Sequence, residues 1–307
     1  MRSRSPKTRG SFAVLAAVPA LLCALSALGV STASTAQAQA NSVEDSATSA
    51  LCPVIYPDDQ SPASRGYRYT FFGNAFFINE QGYLLTVAHV LETFRDGGQP
   101  YILVRRPDAP PKLLRVNVIA EDLQHDVAVL RATPNPFAGK YSVAYLPLAS
   151  VPAVRGESVL ALSLHPKRLQ SAYSFEFERE DSSPGKVLSY ESTQLDNSGP
   201  VADVFLLSHP VVKGQSGSPV MADDSHAVVG LVEGLWLRGI SLPAARSANL
   251  PTDSPGAAIP IRYATALLQQ HAIAWHSAQD SPAERSSTHT TQSSSKAARV
   301  AAPRAKQ

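Results

Sequence analysis

The sequence has 307 residues, of which 44% are hydrophobic and 17% charged, with 27 Lys and Arg against 25 Asp and Glu. This composition is typical of one large or two modest globular domains and excludes a collagen, a coiled coil, a disulfide scaffold and a multi-span membrane protein. Basic residues are in excess over 1–40 and 277–307, so the body between them carries a net negative charge. That balance gives no electrostatic reason to expect nucleic-acid binding.

The first 40 residues have the parts of a secretory signal peptide. A basic start precedes an apolar run over 12–30, and small residues follow up to the Ala-Gln-Ala sequence at 38–40. We predict cleavage after Ala40 and export to the periplasm or the medium, with no stable membrane association after cleavage. The alternative is an uncleaved anchor, because the apolar run approaches the roughly 20 residues that span a bilayer.

Two further segments have few large apolar side chains. Residues 41–64 are predicted to form a flexible N-terminal segment, and residues 277–307, rich in Ser, Thr, Ala and basic residues, a disordered tail. Cys52 is the only cysteine of the predicted mature chain, so an intramolecular disulfide is impossible there and a lone buried thiol is expected.

Short β-prone runs separated by turn signals fill the body of the chain, with few helical windows between them. This pattern favours an all-β barrel or sandwich. One helix is predicted near the end, where Ile261, Ala264 and Leu268 share a face after Pro260. The predicted strands cover 67–72, 75–79, 83–88, 101–105, 113–120 and 127–131, and then 157–164, 172–178, 185–190, 204–207, 218–221 and 227–232.

Three places carry residues suited to catalysis. His89 ends a strand-like run, Asp126 opens an apolar strand, and Ser216 lies in the sequence Gly-Gln-Ser-Gly-Ser-Pro over 214–219. Each also has a purely structural interpretation, as a core histidine, a turn aspartate or a Ser/Gly turn.

Together the three residues predict nucleophilic catalysis. A serine hydroxyl needs a base to take its proton, and neutral histidine suits that role near pH 7. A carboxylate on the other ring nitrogen fixes the tautomer and stabilises the imidazolium. The backbone N–H groups of Gly214 and Ser216 are the expected donors to the developing oxyanion.

The order and local motifs of His89, Asp126 and Ser216 resemble the trypsin/chymotrypsin superfamily of serine proteases, and within it the bacterial HtrA-type branch. The resemblance covers roughly residues 65–275. It rests on the three motifs and on flanking segments at 73–78, 228–232 and 258–260.

The resemblance implies two six-stranded antiparallel β-barrels, over about 65–150 and 155–260 within a domain of 65–276, followed by a C-terminal helix. It also implies hydrolysis of peptide bonds in protein or peptide substrates through an acyl-enzyme, with no metal and no cofactor. Pro210, Val232 and Gly234 are the implied substrate-binding residues. Too little chain follows residue 276 for a PDZ domain, so PDZ-regulated oligomeric behaviour is not expected, and the oligomeric state stays open.

The sequence departs from the animal digestive enzymes at two positions. Gln215 stands where those enzymes have the Asp that receives a new N-terminus on activation, so that route is not expected. Pro210 stands where an Asp would select Lys or Arg, which disfavours trypsin-like specificity. A small or apolar pocket is one expectation, and His209 with Lys213 could instead favour an acidic side chain.

Two other classes of protein share part of this pattern. An α/β-hydrolase places its acid and histidine after the nucleophile, whereas His89 and Asp126 precede Ser216, and the pattern lacks alternating helices. A catalytically silent binding module on a protease-like barrel is compatible with the same motifs, because activity depends on geometry that spacing does not show.

Overall fold

The computed structural model describes residues 47–58, 68–106, 109–166, 177–181, 184–195, 201–237, 240–243 and 254–278. The predicted signal peptide, residues 279–307 of the predicted tail and most of the predicted strand over 172–178 lie outside these ranges. Within them, no helix is long and apolar enough to cross a membrane.

The first half of the described chain forms a closed antiparallel barrel. Its six strands follow the order β1-β2-β3-β6-β5-β4, with β1 closing the ring against both β2 and β4. A 3-10 helix over Ala88–Phe94 connects β3 to β4. The strands are β1 Leu51–Asp58, β2 Arg68–Phe77, β3 Tyr83–Thr86, β4 Tyr101–Arg106, β5 Ala109–Asp122 and β6 Val127–Thr133.

The second half forms another ring of six strands. The order is β11-β12-β14-β10-β9-β7, and the pairing of β7 with β11 closes it, while β8 and β13 extend β7 and β12 as outer hairpin strands. The predicted all-β fold with two six-stranded barrels is therefore confirmed. The strands are β7 Ser158–Pro166, β8 Phe177–Asp181, β9 Gly185–Gln194, β10 Val201–Leu207, β11 Pro219–Ala222, β12 Val228–Leu237, β13 Ile240–Pro243 and β14 Gly256–Pro260.

Two details of the first barrel differ from the expectations. The segment predicted as flexible contributes β1, which begins at Leu51, because Leu51, Cys52, Val54 and Ile55 are all buried. Its prolines and the continuous burial of residues 51–55 leave no alternation of apolar and polar residues that would have identified a strand. The strand β2 also runs through Gly73 without a break. Cys52 is a free buried thiol as expected, and burial raises its pKa.

The predicted C-terminal helix is present as α1, Ile261–Gln270, with Ile261, Ala264, Leu267 and Leu268 buried. Although α1 follows the second barrel in sequence, Tyr263 stacks on His125 in the turn before β6, with ring centroids 3.9 Å apart. The helix therefore braces the loop of the first barrel that carries Asp126.

Truncating Leu268 to alanine tests this packing. The side chain is fully buried, so Leu268→Ala is expected to lower the free energy of unfolding by about 2–5 kcal/mol in urea denaturation. The exposed neighbour Gln269 provides the control, because Gln269→Ala removes no buried surface and should change stability by less than about 0.5 kcal/mol. Equal effects of the two substitutions would contradict the packing described for α1.

Candidate active site

His89 lies in the first turn of the 3-10 helix that follows β3. The apolar residues around it fix the helix on the barrel, since Ala88, Val90, Leu91 and Phe94 are all buried. The imidazole ring is left at the surface of this packing, with 17% of its side chain exposed. The structure thus explains why a histidine sits within an otherwise apolar sequence.

Asp126 accepts hydrogen bonds from both the backbone and the ring of His89. One carboxylate oxygen accepts the His89 backbone N–H at 2.7 Å, and the other accepts the Nδ1–H group at 2.7 Å. The backbone carbonyl of Asp126 also accepts the N–H of Ala88 at 3.2 Å. These bonds hold the tautomer in which Nδ1 carries the proton and Nε2 is free to act as a base.

The turn that carries Asp126 has an unusual backbone. Asp126 has a φ of 54°, in the left-handed region that aspartate tolerates better than most residues. Just before it, the Asp122 carboxylate accepts the backbone N–H groups of Gln124 and His125 at 3.1 Å each and pairs with His125 Nδ1 at 2.6 Å. These bonds define the turn and so direct the Asp126 carboxylate at His89.

The segment over 214–219, named here the serine loop, is buried and tightly turned. Gly214 and Gly217 have φ values of 99° and 80°, which favour glycine. The N–H groups of Gln215, Gly217 and Ser218 donate to the carbonyls of Val212, Val232 and Gln215. The N–H groups of Gly214 and Ser216 are not among these donors, which leaves the predicted oxyanion pair available within the described part of the chain.

Asn74, at the centre of β2, fixes the serine loop to the first barrel. Its backbone N–H donates to the Ser216 carbonyl at 2.8 Å, and its Nδ2 donates to the Gly214 carbonyl at 2.8 Å. The same side chain exchanges two bonds with the backbone of Leu164 on β7. Sequence reasoning singled out the segment containing Asn74 but not this role, for which the only signal was a polar residue inside an apolar strand.

The structure brings Ser216 into the same region as His89 and Asp126 but does not join it to the base by a hydrogen bond. The Ser216 hydroxyl donates to the backbone carbonyl of Glu233 at 3.4 Å. The Nε2 atom of His89 is buried and has no hydrogen-bond partner among the described residues. The His89–Asp126 pair is therefore assembled, whereas the Ser216 hydroxyl is not hydrogen-bonded to His89 in this conformation.

The remaining predicted residues fall on the loop and on β12. Val232 is buried and exchanges backbone bonds with Gly217 and Ser218, which places β12 directly beside the serine loop. Gly234 follows two residues later on the same strand, and Pro210 is exposed before the loop. His209 packs closely against Gly185, where a Cβ atom would collide with its ring, and burial lowers the pKa of His209. A lowered pKa disfavours the cationic ring that would attract an acidic side chain, so His209 does not support the acidic-pocket alternative.

Sequence reasoning missed Glu233, which is 1% exposed and lies beside the His89–Asp126 pair. One carboxylate oxygen of each acid and one ring nitrogen of His89 all lie within 4.8 Å of one another. Burial raises the pKa of Glu233 to about 8, with His89 lowering it and Asp126 raising it. An acidic residue between Val232 and Gly234 in a buried strand was the available signal.

The same neighbours act on His89. Burial lowers the pKa of the ring, but the charge and hydrogen bond of Asp126, with smaller contributions from Glu233 and Glu92, raise it by more. The net direction is therefore upward from the usual range. His89, Asp126 and Glu233 are also residue types that can ligate a metal ion, and in this structure Asp126 bonds directly to His89 Nδ1 at 2.7 Å.

Comparison with known proteins agrees with this architecture. The family model described as the trypsin-like peptidase domain matches residues 73–231, which is just over half of the chain. The chain belongs to the trypsin-like peptidase family. The predicted resemblance is thereby confirmed at the level of the family, while no curated protein matches the sequence.

Solved structures of similar fold include several proteases. The Rv3671c protease from M. tuberculosis, in its active form, is 19% identical, with 76% of this chain and 86% of that chain covered and a TM-score of 0.50. The HtrA-type protease AlgW with tripeptide is 16% identical over 75% of this chain and 62% of its own, with a TM-score of 0.50. Deg5 is 14% identical, with 75% of this chain and 92% of that chain covered and a TM-score of 0.50. At these identities the likeness shows the fold alone, and the peptidase domain described here spans less than two thirds of AlgW.

The role of Asn74 is testable through an isosteric substitution. Asn74→Asp replaces the Nδ2 donor by an oxygen, so the carbonyls of Gly214 and Leu164 lose their buried partner. We expect the free energy of unfolding to fall by at least about 1–3 kcal/mol in urea denaturation.

Asn117→Asp is the matched control, because Asn117 makes an exposed bond to Thr133 and the same chemical change there should alter stability by less than about 0.5 kcal/mol. If both variants unfold at the same urea concentration, Asn74 does not hold the serine loop as described.

Proposed function

We propose that this trypsin-like peptidase is an exported serine endopeptidase that uses Ser216 as nucleophile, His89 as general base and Asp126 as the residue that orients the base. The observation that carries the proposal is the pair of 2.7 Å bonds from His89 to the Asp126 carboxylate, set beside the serine loop. Membership in the peptidase family supports the same reaction class.

In the proposed reaction, Ser216 attacks the scissile carbonyl while His89 Nε2 accepts the hydroxyl proton. The resulting imidazolium is stabilised by Asp126, and the oxyanion accepts hydrogen bonds from the Gly214 and Ser216 N–H groups. His89 then protonates the leaving amine, and water hydrolyses the acyl-enzyme by the reverse use of the same base. Removal of one oxyanion donor in enzymes of this kind costs about 3–4 kcal/mol of transition-state stabilisation.

Productive geometry requires the Ser216 side chain to turn from the Glu233 carbonyl toward His89. A single rotation about the Cα–Cβ bond interchanges staggered rotamers of serine, and the present bond of 3.4 Å is long. Catalytic hydrogen bonds commonly shorten only when substrate binds. The proposal therefore includes a change of rotamer at Ser216 on substrate binding.

The substrates proposed are proteins or peptides outside the cytoplasm, bound along β12 at Val232 and Gly234. The signal-peptide pattern of residues 1–40 supports export. Pro210, which is uncharged and exposed, supports a preference for side chains other than Lys or Arg.

A catalytically silent binding module is the second candidate, favoured by the absence of a bond between Ser216 and His89 Nε2 among the described residues. The two candidates differ in how the serine reacts. A fluorophosphonate probe labels a serine only where a base and an oxyanion hole activate it.

We expect the probe to label the wild-type protein and not Ser216→Ala. We also expect Ser216→Ala to lower kcat for peptide hydrolysis by about 10⁴-fold or more, with a change of less than about 1 kcal/mol in the free energy of unfolding. Ser218→Ala, at the other serine of the loop, is the control and should still be labelled. A folded wild-type protein that resists labelling would favour the binding module.

The pH dependence of kcat/KM provides a separate test of the base. Because only neutral imidazole accepts a proton, the rate should rise with pH through the pKa of His89, which Asp126 holds above its usual range despite burial. Asp126→Asn should lower kcat by about 10⁴-fold, since the amide no longer fixes the tautomer. A flat profile between pH 5 and 8 is incompatible with a histidine base.

A further inference from the structure

Glu233 occupies a bulge that turns its side chain toward the candidate active site. In the pairing of β12 with β14, the register shifts between Val232, opposite Ala258, and Gly234, opposite Ala257. Glu233 is thus the extra residue of a β-bulge, a feature that re-aims side chains and is common beside active sites. Its backbone carbonyl faces the Ser216 hydroxyl, and its carboxyl group faces His89 and Asp126.

The cluster holds three titratable groups that are largely shielded from water. Glu233 and Asp126 are 1% and 7% exposed, and His89 Nε2 is buried. Two carboxylates beside a neutral imidazole would place two negative charges within 4.8 Å of each other in a buried site, which is unfavourable in a medium that solvates charge poorly. Near neutral pH, one proton is therefore retained by either His89 or Glu233.

The two placements of that proton contain the same atoms and the same net charge. In one, Glu233 is a neutral acid and His89 is a neutral base. In the other, Glu233 is a carboxylate and His89 an imidazolium, which cannot accept the Ser216 proton. The placements interconvert by proton exchange with solvent, so the fraction of neutral His89 depends on both groups.

We propose that Glu233 is a positioning residue of this active site whose carboxyl group shares one proton with His89, so that the base becomes available in two coupled steps. The effect of Glu233 on catalysis rests on the proposed function. The sharing of a proton between Glu233 and His89 is a property of the folded protein and does not depend on activity. Among the described residues, Glu92 of the 3-10 helix also acts on His89, where its charge raises the pKa of the ring.

The raised pKa of Glu233, about 8, supports the proposal because it brings the carboxyl group into the range where the imidazole titrates. Coupling also has a fixed direction. Each ionisation of Glu233 strengthens the hold of His89 on its own proton, so removing the carboxyl group can only move the deprotonation of His89 to lower pH.

The test is a titration of the His89 ring by ¹⁵N NMR in the Ser216→Ala background, with the signal assigned by its loss in His89→Ala. We expect a two-step curve with Glu233 present. In Glu233→Gln, which keeps the shape and removes the charge, we expect a single step displaced to lower pH by about one unit or more. Superimposable curves would overturn the proposal.

Glu92→Gln is the matched control, because it removes the same charge from an exposed position and should shift His89 by much less. Glu233→Asp retains the acid and should restore a two-step curve, which a merely structural role would not predict. If Glu233→Gln fails to fold, the His89 titration of the Ser216→Ala protein alone tests the proposal. A one-step His89 curve, or a Glu233 carboxyl ¹³C signal that titrates only below pH 6, refutes sharing.

Activity supplies a readout that separates this proposal from the proposed function. In an active enzyme, Glu233→Gln should move the rising limb of the kcat/KM profile to lower pH and leave KM unchanged. Absence of hydrolysis together with a two-step His89 titration would reject the endopeptidase and retain the shared proton. Hydrolysis together with a one-step His89 titration that Glu233→Gln does not shift would support the endopeptidase and reject the shared proton.

Discussion

The buried side chain of Asn74 is the constraint on which the geometry of the candidate site depends. Its amide donates to Gly214 in the serine loop and to Leu164 on β7, and its carbonyl oxygen accepts the Leu164 N–H. The backbone carbonyl of Asn74 accepts the Thr86 hydroxyl, three residues before His89. Because all these groups are buried, displacing any of them leaves a donor or acceptor unsatisfied. One residue thus sets the position of the serine loop relative to the segment that bears His89.

Close approach between the barrels also depends on two glycines. A Cβ atom on Gly73 would lie 2.6 Å from the Ser216 carbonyl oxygen and 2.8 Å from Val90 Cγ2. A Cβ atom on Gly217, which has a positive φ, would collide with the Asn74 carbonyl and the Thr86 hydroxyl. The glycines therefore serve packing between segments that are far apart in sequence, and not only the turn of the serine loop.

The parts of the fold that the sequence could predict are those with local signals. The spacing of Ile261, Ala264 and Leu268 identified the C-terminal helix, and the local motifs around His89 and Asp126 predicted that these two residues interact. The strand β1 was missed because its prolines and its continuous burial leave no alternation of apolar and polar residues. Glu233 was missed because a β-bulge changes which face of β12 a residue occupies. The role of Asn74 depends on partners 90 and 140 residues away, which no local pattern reports.

The serine loop is itself held by a neutral side chain. Gln215 is buried, its Oε1 accepts the Val212 N–H at 2.9 Å, and its Nε2 donates to the Ser163 hydroxyl at 3.3 Å. An acid at this position would need a buried cationic partner, whereas both ends of the amide are satisfied within the loop and β7. Amide groups do not titrate, so these hydrogen bonds stay the same across neutral pH. The pH response of the site therefore arises from the imidazole and the carboxyl groups around it, and not from the order of the loop.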